Sequence, residues 1–370
     1  MSESIRFRFV GLDVHAQSIT IAVADEGREA AQVLGEVPND FSSLSKVLRR
    51  LGPPASVLCC YEAGPTGFGL ARQLFAAGWS TAVIAPSLIP AKKGCRVKTN
   101  RRDAVKLAHF LRSGDLTIVH VPDEHTEAIR DLSRARAAAK RAERVARQQL
   151  SKFLLRHGRR YGRRSTWSEA HKTWIGTQTF EHPAQQCVLE DSLATVELTT
   201  DRVRRLSEKL AELVPQWDQA PLVQALQALR GVELITSAGI VAEVGCFGRF
   251  ATAPEFMGYV GMVPSENSTG ETHHRGRITR TGNQHVRWLL VESAWHYRHK
   301  PRLTKAIRER SKGVAAGVLA IAWKAQKRLH SRMQRLLKRG KTRQKATMAV
   351  ARELAGFVWA IAREKQLKAS

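Results

Sequence analysis

Phe7-Arg-Phe-Val-Gly-Leu-Asp13 alternates and then turns apolar, the pattern of a strand buried in a sheet. Ser18-Ile-Thr-Ile-Ala-Val-Ala24 reads as a second strand, and residues 29–37 as a weaker third. The connections between them are short, so the three are expected to form an antiparallel meander. A helix is expected over residues 41–51, with Asn39 or Asp40 as its cap. Ser56-Val-Leu-Cys-Cys-Tyr61 is a fourth strand that ends at Glu62. A helix over 66–77, a strand over 80–85 and a last helix over 101–111 complete the stretch.

The order is therefore βββαβαβα. It is the order of a ribonuclease-H-like fold, whereas an all-parallel nucleotide-binding sheet would begin β-α-β. In such a sheet Asp13 lies near the end of the first strand and Glu62 at the end of the fourth. Asp103 sits in the first turn of the last helix, which can pack on the same edge. Three carboxylates gathered there repel one another unless a cation sits among them, and hard oxygen ligands suit Mg²⁺ or Mn²⁺. Each acid also has a plainer reading: Asp13 as a turn residue, Glu62 as a loop start, Asp103 as an acid favoured by a helix N-terminus.

The whole chain has 370 residues, 43% of them hydrophobic, with a formal net charge of +27. It can bury real cores, and two or three domains are expected. It holds no apolar run long enough to span a bilayer and begins without a secretory signal layout. Cys59, Cys60, Cys95, Cys187 and Cys246 make an odd set without C-x-x-C spacing, which argues against a disulfide framework or zinc site and fits a reducing cytosol. The charge calls for a polyanion, nucleic acid first and an anionic membrane surface a distant second.

Two tracts concentrate that charge. Residues 130–164 carry thirteen Lys and Arg against Asp131 and Glu143, and residues 298–345 carry seventeen against Glu309. The first tract is Ala-rich and helical, with an apolar stripe that suits a coiled coil or a helix laid along phosphates. Residues 190–214 supply a partner helix. The segment 157–186 between them holds Tyr161, Trp167 and Trp174, which suit either base stacking or ordinary packing. Segments are expected at 1–125, 126–215 (a basic coiled-coil linker with an insertion), 216–300 and 301–370. Residues 347–365 look amphipathic, with Val350, Leu354, Phe357, Val358 and Ile361 forming a packing stripe.

Leu226-Gln-Ala-Leu-Arg-Gly231-Val-Glu-Leu-Ile-Thr-Ser-Ala-Gly239 is similar to a helix-hairpin-helix; a helix–turn–helix core pair is an equal reading. Further on, Ser265-Glu-Asn-Ser268-Thr269-Gly270 and His273-His-Arg-Gly-Arg-Ile-Thr-Arg-Thr-Gly-Asn283 cluster small polar residues beside Arg275, Arg277, Arg280 and Arg287. Close-approaching backbone and guanidinium forks are what a phosphodiester-gripping loop needs, and a solvated surface hairpin has the same composition.

Three motifs of the first half, Gly11-Leu-Asp13-Val-His, Tyr61-Glu62-Ala-Gly-Pro-Thr-Gly and Val97-Lys98-Thr-Asn100-Arg101-Arg102-Asp103-Ala, resemble the N-terminal, RuvC-like domain of the DEDD insertion-sequence transposases. The Ser268 and Arg275 motifs resemble the C-terminal transposase domain of the same family, in the bridge-RNA-guided group with the longer linker insertion. The resemblance implies a DNA recombinase that cuts and rejoins strands with Mg²⁺ or Mn²⁺ held by Asp13, Glu62, Asn100 and Asp103. Asn100 departs from the family pattern, which has an acid there. Lys98, Arg101 and Arg102 would flank the acids. A hydroxyl of the second motif, Ser268 or by strict counting Thr269, with Ser265 third, is implied to attack DNA. The acids are implied to come from a partner subunit, within a dimer or tetramer. A structured guide RNA is the implied partner besides DNA, in the cytoplasm and nucleoid of bacteria. Two other readings remain open: a Holliday-junction-type metal nuclease, and a non-catalytic nucleic-acid scaffold.

Overall fold

A computed structural model describes residues 7–90, 99–163, 165–269 and 272–366. It divides into two compact units, Met1–Asp123 and Glu124–Ser370. Among the described residues no helix is long and apolar enough to cross a membrane, and Cys59, Cys60, Cys187 and Cys246 are free thiols.

The first unit is a mixed sheet. Its elements are β1 (Arg8–Val14), β2 (Ser18–Asp25), β3 (Gln32–Pro38), α1 (Phe41–Leu51), β4 (Val57–Glu62), α2 (Gly69–Ala76), β5 (Ser80–Ile84), α3 (Asn100–Ser113) and β6 (Ile118–Val119). The strands lie in the order β3-β2-β1-β4-β5-β6. β1 to β3 form the expected antiparallel meander, while β1, β4 and β5 run parallel. The two-residue β6, not expected from sequence, closes the far edge antiparallel to β5. Of the two cap candidates, Asp40 takes the role: its Oδ1 accepts from the Ser43 amide at 2.8 Å. Asn39 instead donates to the His15 carbonyl at 2.6 Å, tying the end of β3 to the turn after β1.

Side-chain alternation splits the sheet into two faces. Val10, Leu12, Cys59 and Tyr61 pack with Leu44, Leu48, Ala71 and Leu74 under α1 and α2. Gly11 and Cys60 face α3, where Cys60 packs with Leu107 and Leu111. Gly11 is there because α3 touches the strand. A Cβ on it would lie 2.5 Å from the Ala108 amide and nearer still to the Ala104 carbonyl. Both obstacles are backbone and cannot swing aside. Gly11→Ala is expected to cost the first unit about 2–3 kcal/mol, read as a lower denaturant midpoint at unchanged slope. An unchanged midpoint would mean that α3 is not seated on β1.

The second unit is mostly helical. Its elements are α4 (Glu124–Arg156), α5 (Glu169–Gly176), α6 (Pro183–Leu213), α7 (Ala220–Leu226), α8 (Leu234–Val244), α9 (Ala253–Tyr259), β7 (Pro264–Thr269), β8 (Thr272–Ile278), α10 (Gln284–Ala294), α11 (Lys305–Arg310), α12 (Ala316–Lys338) and α13 (Arg343–Gln366). Arg136 of α4 reaches Ser207, and Arg147 reaches Thr200, so α4 and α6 run antiparallel. Buried Leu189, Val196, Val203 and Leu210 recur at seven-residue steps along α6. Glu143 interrupts the facing stripe on α4. It is buried, paired with Lys140 and Arg147, and accepts from Thr200.

At the tip of this arm the aromatic residues pack on each other. His171 stacks on Trp174 with centroids 5.7 Å apart, Tyr161 lies 4.5 Å from His171, and Arg147 sits over Trp167. Packing accounts for these rings without bases. The stretch from α7 to α8 forms a helical hairpin whose turn is walled in. A Cβ on Gly231 would lie 2.6 Å from the Ser293 carbonyl of α10. Arg230 caps the carbonyls of His299, Lys300 and Arg302. The stripe on α13 packs as expected: Val350, Leu354, Val358 and Ile361 are fully buried. They share one core with Leu226, Ile240 and Leu290, so helices from 216–300 and 301–370 stabilise each other.

Candidate functional site: an acid-bearing sheet edge and a serine hairpin

Leu12 of β1 is in register with Tyr61 of β4; one step further along these parallel strands come Asp13 and Glu62. By alternation from Gly11 and Cys60, both carboxylates point to the face that α3 covers. The Tyr61 hydroxyl, on the other face, donates to the Gly67 carbonyl and accepts from the Ala71 amide. The Ala63 amide donates to Ile84 at 2.8 Å. These bonds fix the end of β4 and with it Glu62.

The third acid arrives by helix direction. Arg112, in the last turn of α3, donates to the carbonyls of Asp25 and Glu29, beside the start of β1. With Ala104 over Gly11, α3 must run opposite to β1, which carries its first turn toward Asp13. Asp103 lies in that turn, next to Ala104. Thr99 caps the helix by accepting from the Arg102 amide at 3.3 Å. Asn100 and Asp103, three apart, share one side of this turn. Arg101 and Arg102 are exposed beside them. Lys98 lies outside the described residues.

Asp13, Glu62 and Asp103 are half-buried. His15 Nε2 lies 3.1 Å from Asp13 Oδ2. Among the described residues no three His, Cys, Asp or Glu side chains form a group able to hold a metal as they stand. Asp13 and Glu62 share a face and an end of the sheet, and the first turn of α3 brings Asp103 toward that end. Two observations fit a hard cation there. Every donor offered is oxygen, from three carboxylates and the Asn100 carboxamide. Thr20, in register with Asp13 across β2, is buried with a hydroxyl that has no hydrogen-bond partner among the described residues. Thr20 was not singled out from sequence; its signal is a polar residue inside the apolar run 19–24.

The second motif is a hairpin, one of the two forms its composition allowed. β7 and β8 pair antiparallel, with Ser268 opposite His273 and Thr269 opposite Thr272. Gly270 and Glu271 lie outside the described residues, as does the side chain of Arg275. Ser268 and Thr269 are exposed, and Ser268 Oγ donates to Glu266 Oε1 at 2.9 Å. Glu266 and Ser268 are two apart and so share a face of β7, while Thr269 takes the other. Sequence reasoning passed over Glu266, whose signal is that i, i+2 spacing. Ser265 is engaged elsewhere: its Oγ donates to the Arg277 carbonyl at 3.1 Å.

Two family models match the chain. Residues 10–158 match a transposase model of the DEDD IS110 type, and residues 223–308 match the Transposase IS116/IS110/IS902 family. The putative transposase y4qE of Sinorhizobium fredii is 47% identical over 97% of this chain and 89% of its own. The chain belongs to the IS110 family of DEDD transposases. The transposase for insertion sequence element IS1533 of Leptospira borgpetersenii is 29% identical over 89% of this chain and 96% of its own. A probable family 20 transposase of Pseudomonas aeruginosa is 27% identical over 65% of this chain. The protein is thus an insertion-sequence transposase, of a family that uses divalent metal.

In this transposase the arginines after the hairpin divide into two kinds. Arg277 and Arg280 are exposed, and Arg280 holds a left-handed backbone at φ 58°. Arg287 is turned inward: it donates to the carbonyls of Val260 and Thr281, and burial holds its guanidinium below the usual value. These bonds tie α10 to the backbone on either side of the hairpin.

The same base rests on a buried acid. Arg134 of α4 clasps Glu243 of α8 at 2.6 and 2.8 Å, and Asn283, the cap of α10, donates to Glu243 at 2.8 Å. Burial pushes the Glu243 carboxyl up, but the bonds from Arg134 and Asn283 outweigh it and hold the group below its ordinary value of 4.5. A depressed carboxylate stabilises the fold above its unfolded value and loses that contribution as pH falls through the folded one. Acid unfolding of the transposase should therefore include a component below pH 4.5. Glu243→Gln should remove it and cost about 2 kcal/mol at neutral pH, discounted for the exposure of Arg134. An unaltered acid-unfolding profile in Glu243→Gln would show that this clasp contributes nothing.

Proposed function

We propose that this transposase moves its element by cutting and rejoining DNA strands with the Ser268 hydroxyl as nucleophile, served by Asp13, Glu62, Asn100 and Asp103 as ligands for Mg²⁺ or Mn²⁺. The RuvC-like, ribonuclease-H-like reading of the first unit belongs to the same proposal. The observation that carries it is the in-register pairing of β1 with β4, which aligns two acids 49 positions apart in the chain under the first turn of α3. The metal, when bound, would lower the cost of negative charge developing on the phosphate and its flanking oxygens.

The chain's own groups have the remaining roles. Asp13, Glu62 and Asp103 supply charge and Asn100 a neutral carbonyl oxygen. Ser268 donates to Glu266, which can accept its proton as the Oγ–phosphorus bond forms and the 3′ oxygen of the cut strand departs. Arg101, Arg102, Arg277 and Arg280, with Lys98 and Arg275, grip phosphates in the forked way that guanidinium groups favour. The acids and the serine act together across protomers of a dimer or tetramer. That Leu155, Val188 and Leu198 are exposed along α4 and α6 supports assembly through this arm. A structured guide RNA is proposed as a second polyanion, supported by the excess of +27.

The test is to trap the reaction on DNA and map the covalent adduct by mass spectrometry. A phosphoserine-type link at Ser268, formed only with divalent metal, is expected. Metal-dependent cleavage with no adduct would favour the junction-nuclease reading, in which water attacks.

A further inference from the structure

The second unit holds a cleft that neither Ser268 nor Thr269 lines. It measures about 820 Å³ and opens between α4 and the start of α10, lined by Arg134, Arg141, Arg144, His285 and Trp288 among others. We propose that this cleft binds one unpaired nucleotide of a nucleic-acid strand, its base stacked on Trp288 and its phosphates on Arg141 and Arg144.

Four observations carry the inference. Arg134, Ala137, Arg141 and Arg144 follow one another at three- and four-residue steps, so one side of α4 turns a row of cations to the cleft. Arg134 is committed to Glu243, and Lys140 to Glu143 at 2.6 Å. Arg141 and Arg144 are exposed, and among the described residues neither has a hydrogen-bond or ion-pair partner. Their charge is free for a ligand.

Opposite them, Trp288 keeps 43% of its surface exposed. An indole left in water beside unpaired guanidinium groups is poorly explained by core packing, and it is what a stacking platform needs. Trp288 is itself backed by His285, whose ring stacks beneath it with centroids 5.7 Å apart and planes at 29°. His285 Nε2 is buried and has no partner among the described residues.

The walls are also preset. Glu243 joins Arg134 of α4 to Asn283, and Asn283 Oδ1 accepts from the Val286 amide at 3.0 Å, closing the first turn of α10. The groups that face the ligand thus project from two helices already tied together, which lowers the ordering cost of binding. A duplex hides its base faces, so the platform selects a single strand, a loop or a flipped base. DNA and RNA share that chemistry.

Binding can be measured without strand transfer. Full-length protein in EDTA is titrated with short labelled oligothymidylate, oligouridylate and a duplex of equal length. Trp288→Ala should weaken single-strand binding roughly tenfold and leave duplex binding unchanged, with Trp288→Phe retaining most of the affinity. Arg141→Ala with Arg144→Ala should lower the log–log salt slope for the single strand by about 1.4, at ~0.7 for each phosphate no longer neutralised. A strand carrying 5-iodouracil should cross-link to Trp288. The arm that suffers more from Trp288→Ala identifies DNA or RNA as the source. Unchanged single-strand affinity in Trp288→Ala, or an equal loss on duplex, overturns the proposal. Because EDTA removes any metal, that failure is independent of the acidic site and of Ser268.

Discussion

Asp13→Asn should reduce strand transfer at least about a thousandfold and leave DNA binding within a few-fold of the parent. The change is nearly isosteric, and Asp13 lies at a strand end with 18% of its side chain exposed, so the fold should survive. What is lost is one negative oxygen facing α3. A metal clamp contributes several kcal/mol of transition-state stabilisation, and about 4 kcal/mol corresponds to a thousandfold in rate. Affinity comes instead from the basic tracts. Glu62→Gln should behave alike, since Glu62 and Asp13 each follow the Leu12–Tyr61 register pair by one residue. Strand transfer is read on a supercoiled donor with Mg²⁺, and binding by mobility shift. Near-normal transfer by either variant would refute the metal role. Asn100→Asp probes the family departure: a gain means the native carboxamide limits metal binding, and no change means a neutral oxygen suffices.

Ser268→Ala should abolish the covalent protein–DNA adduct, while Thr269→Ala should retain it with a modest loss. Strict counting along the motif favours Thr269, whereas the hydrogen bond to Glu266 favours Ser268. Adjacent residues of β7 point to opposite faces, so only Ser268 can share the side of Glu266. A hydroxyl at its ordinary acidity is a weak nucleophile and needs an acceptor or a metal close by. Glu266→Gln should therefore slow adduct formation about a hundredfold without moving the site of attachment, the scale of general-base assistance. An adduct that persists in Ser268→Ala and disappears in Thr269→Ala would assign the nucleophile to Thr269.

Most of the acid-bearing edge was legible in the chain because it depends on local rules. Strand periodicity located Asp13 and Glu62 at strand ends, and helix phase located Asp103 in a first turn. The hairpin was legible only in composition. Small polar residues and arginines fit a loop as well as a strand pair, and the choice rests on cross-strand partners that no periodicity reports. The aromatic cluster at 161–174 suited base stacking or packing equally, until His171 and Trp174 were found stacked on one another. Arg287 has the composition of a phosphate ligand, yet it hydrogen-bonds two carbonyls of its own chain. A guanidinium carries the same charge in either role, so only its neighbours decide.

The sequence by itself determined the order of strands and helices from β1 to α3, the long paired helices and the family, since each follows from short-range periodicity or contiguous motifs. Only the tertiary structure decided the direction of α3 over β1, the pairing of Ser268 with Glu266, and the cleft where Trp288 faces Arg141 and Arg144. Those are relations between residues far apart in the chain, fixed by packing against backbone at Gly11 and by the buried clasp at Glu243, which no local rule contains.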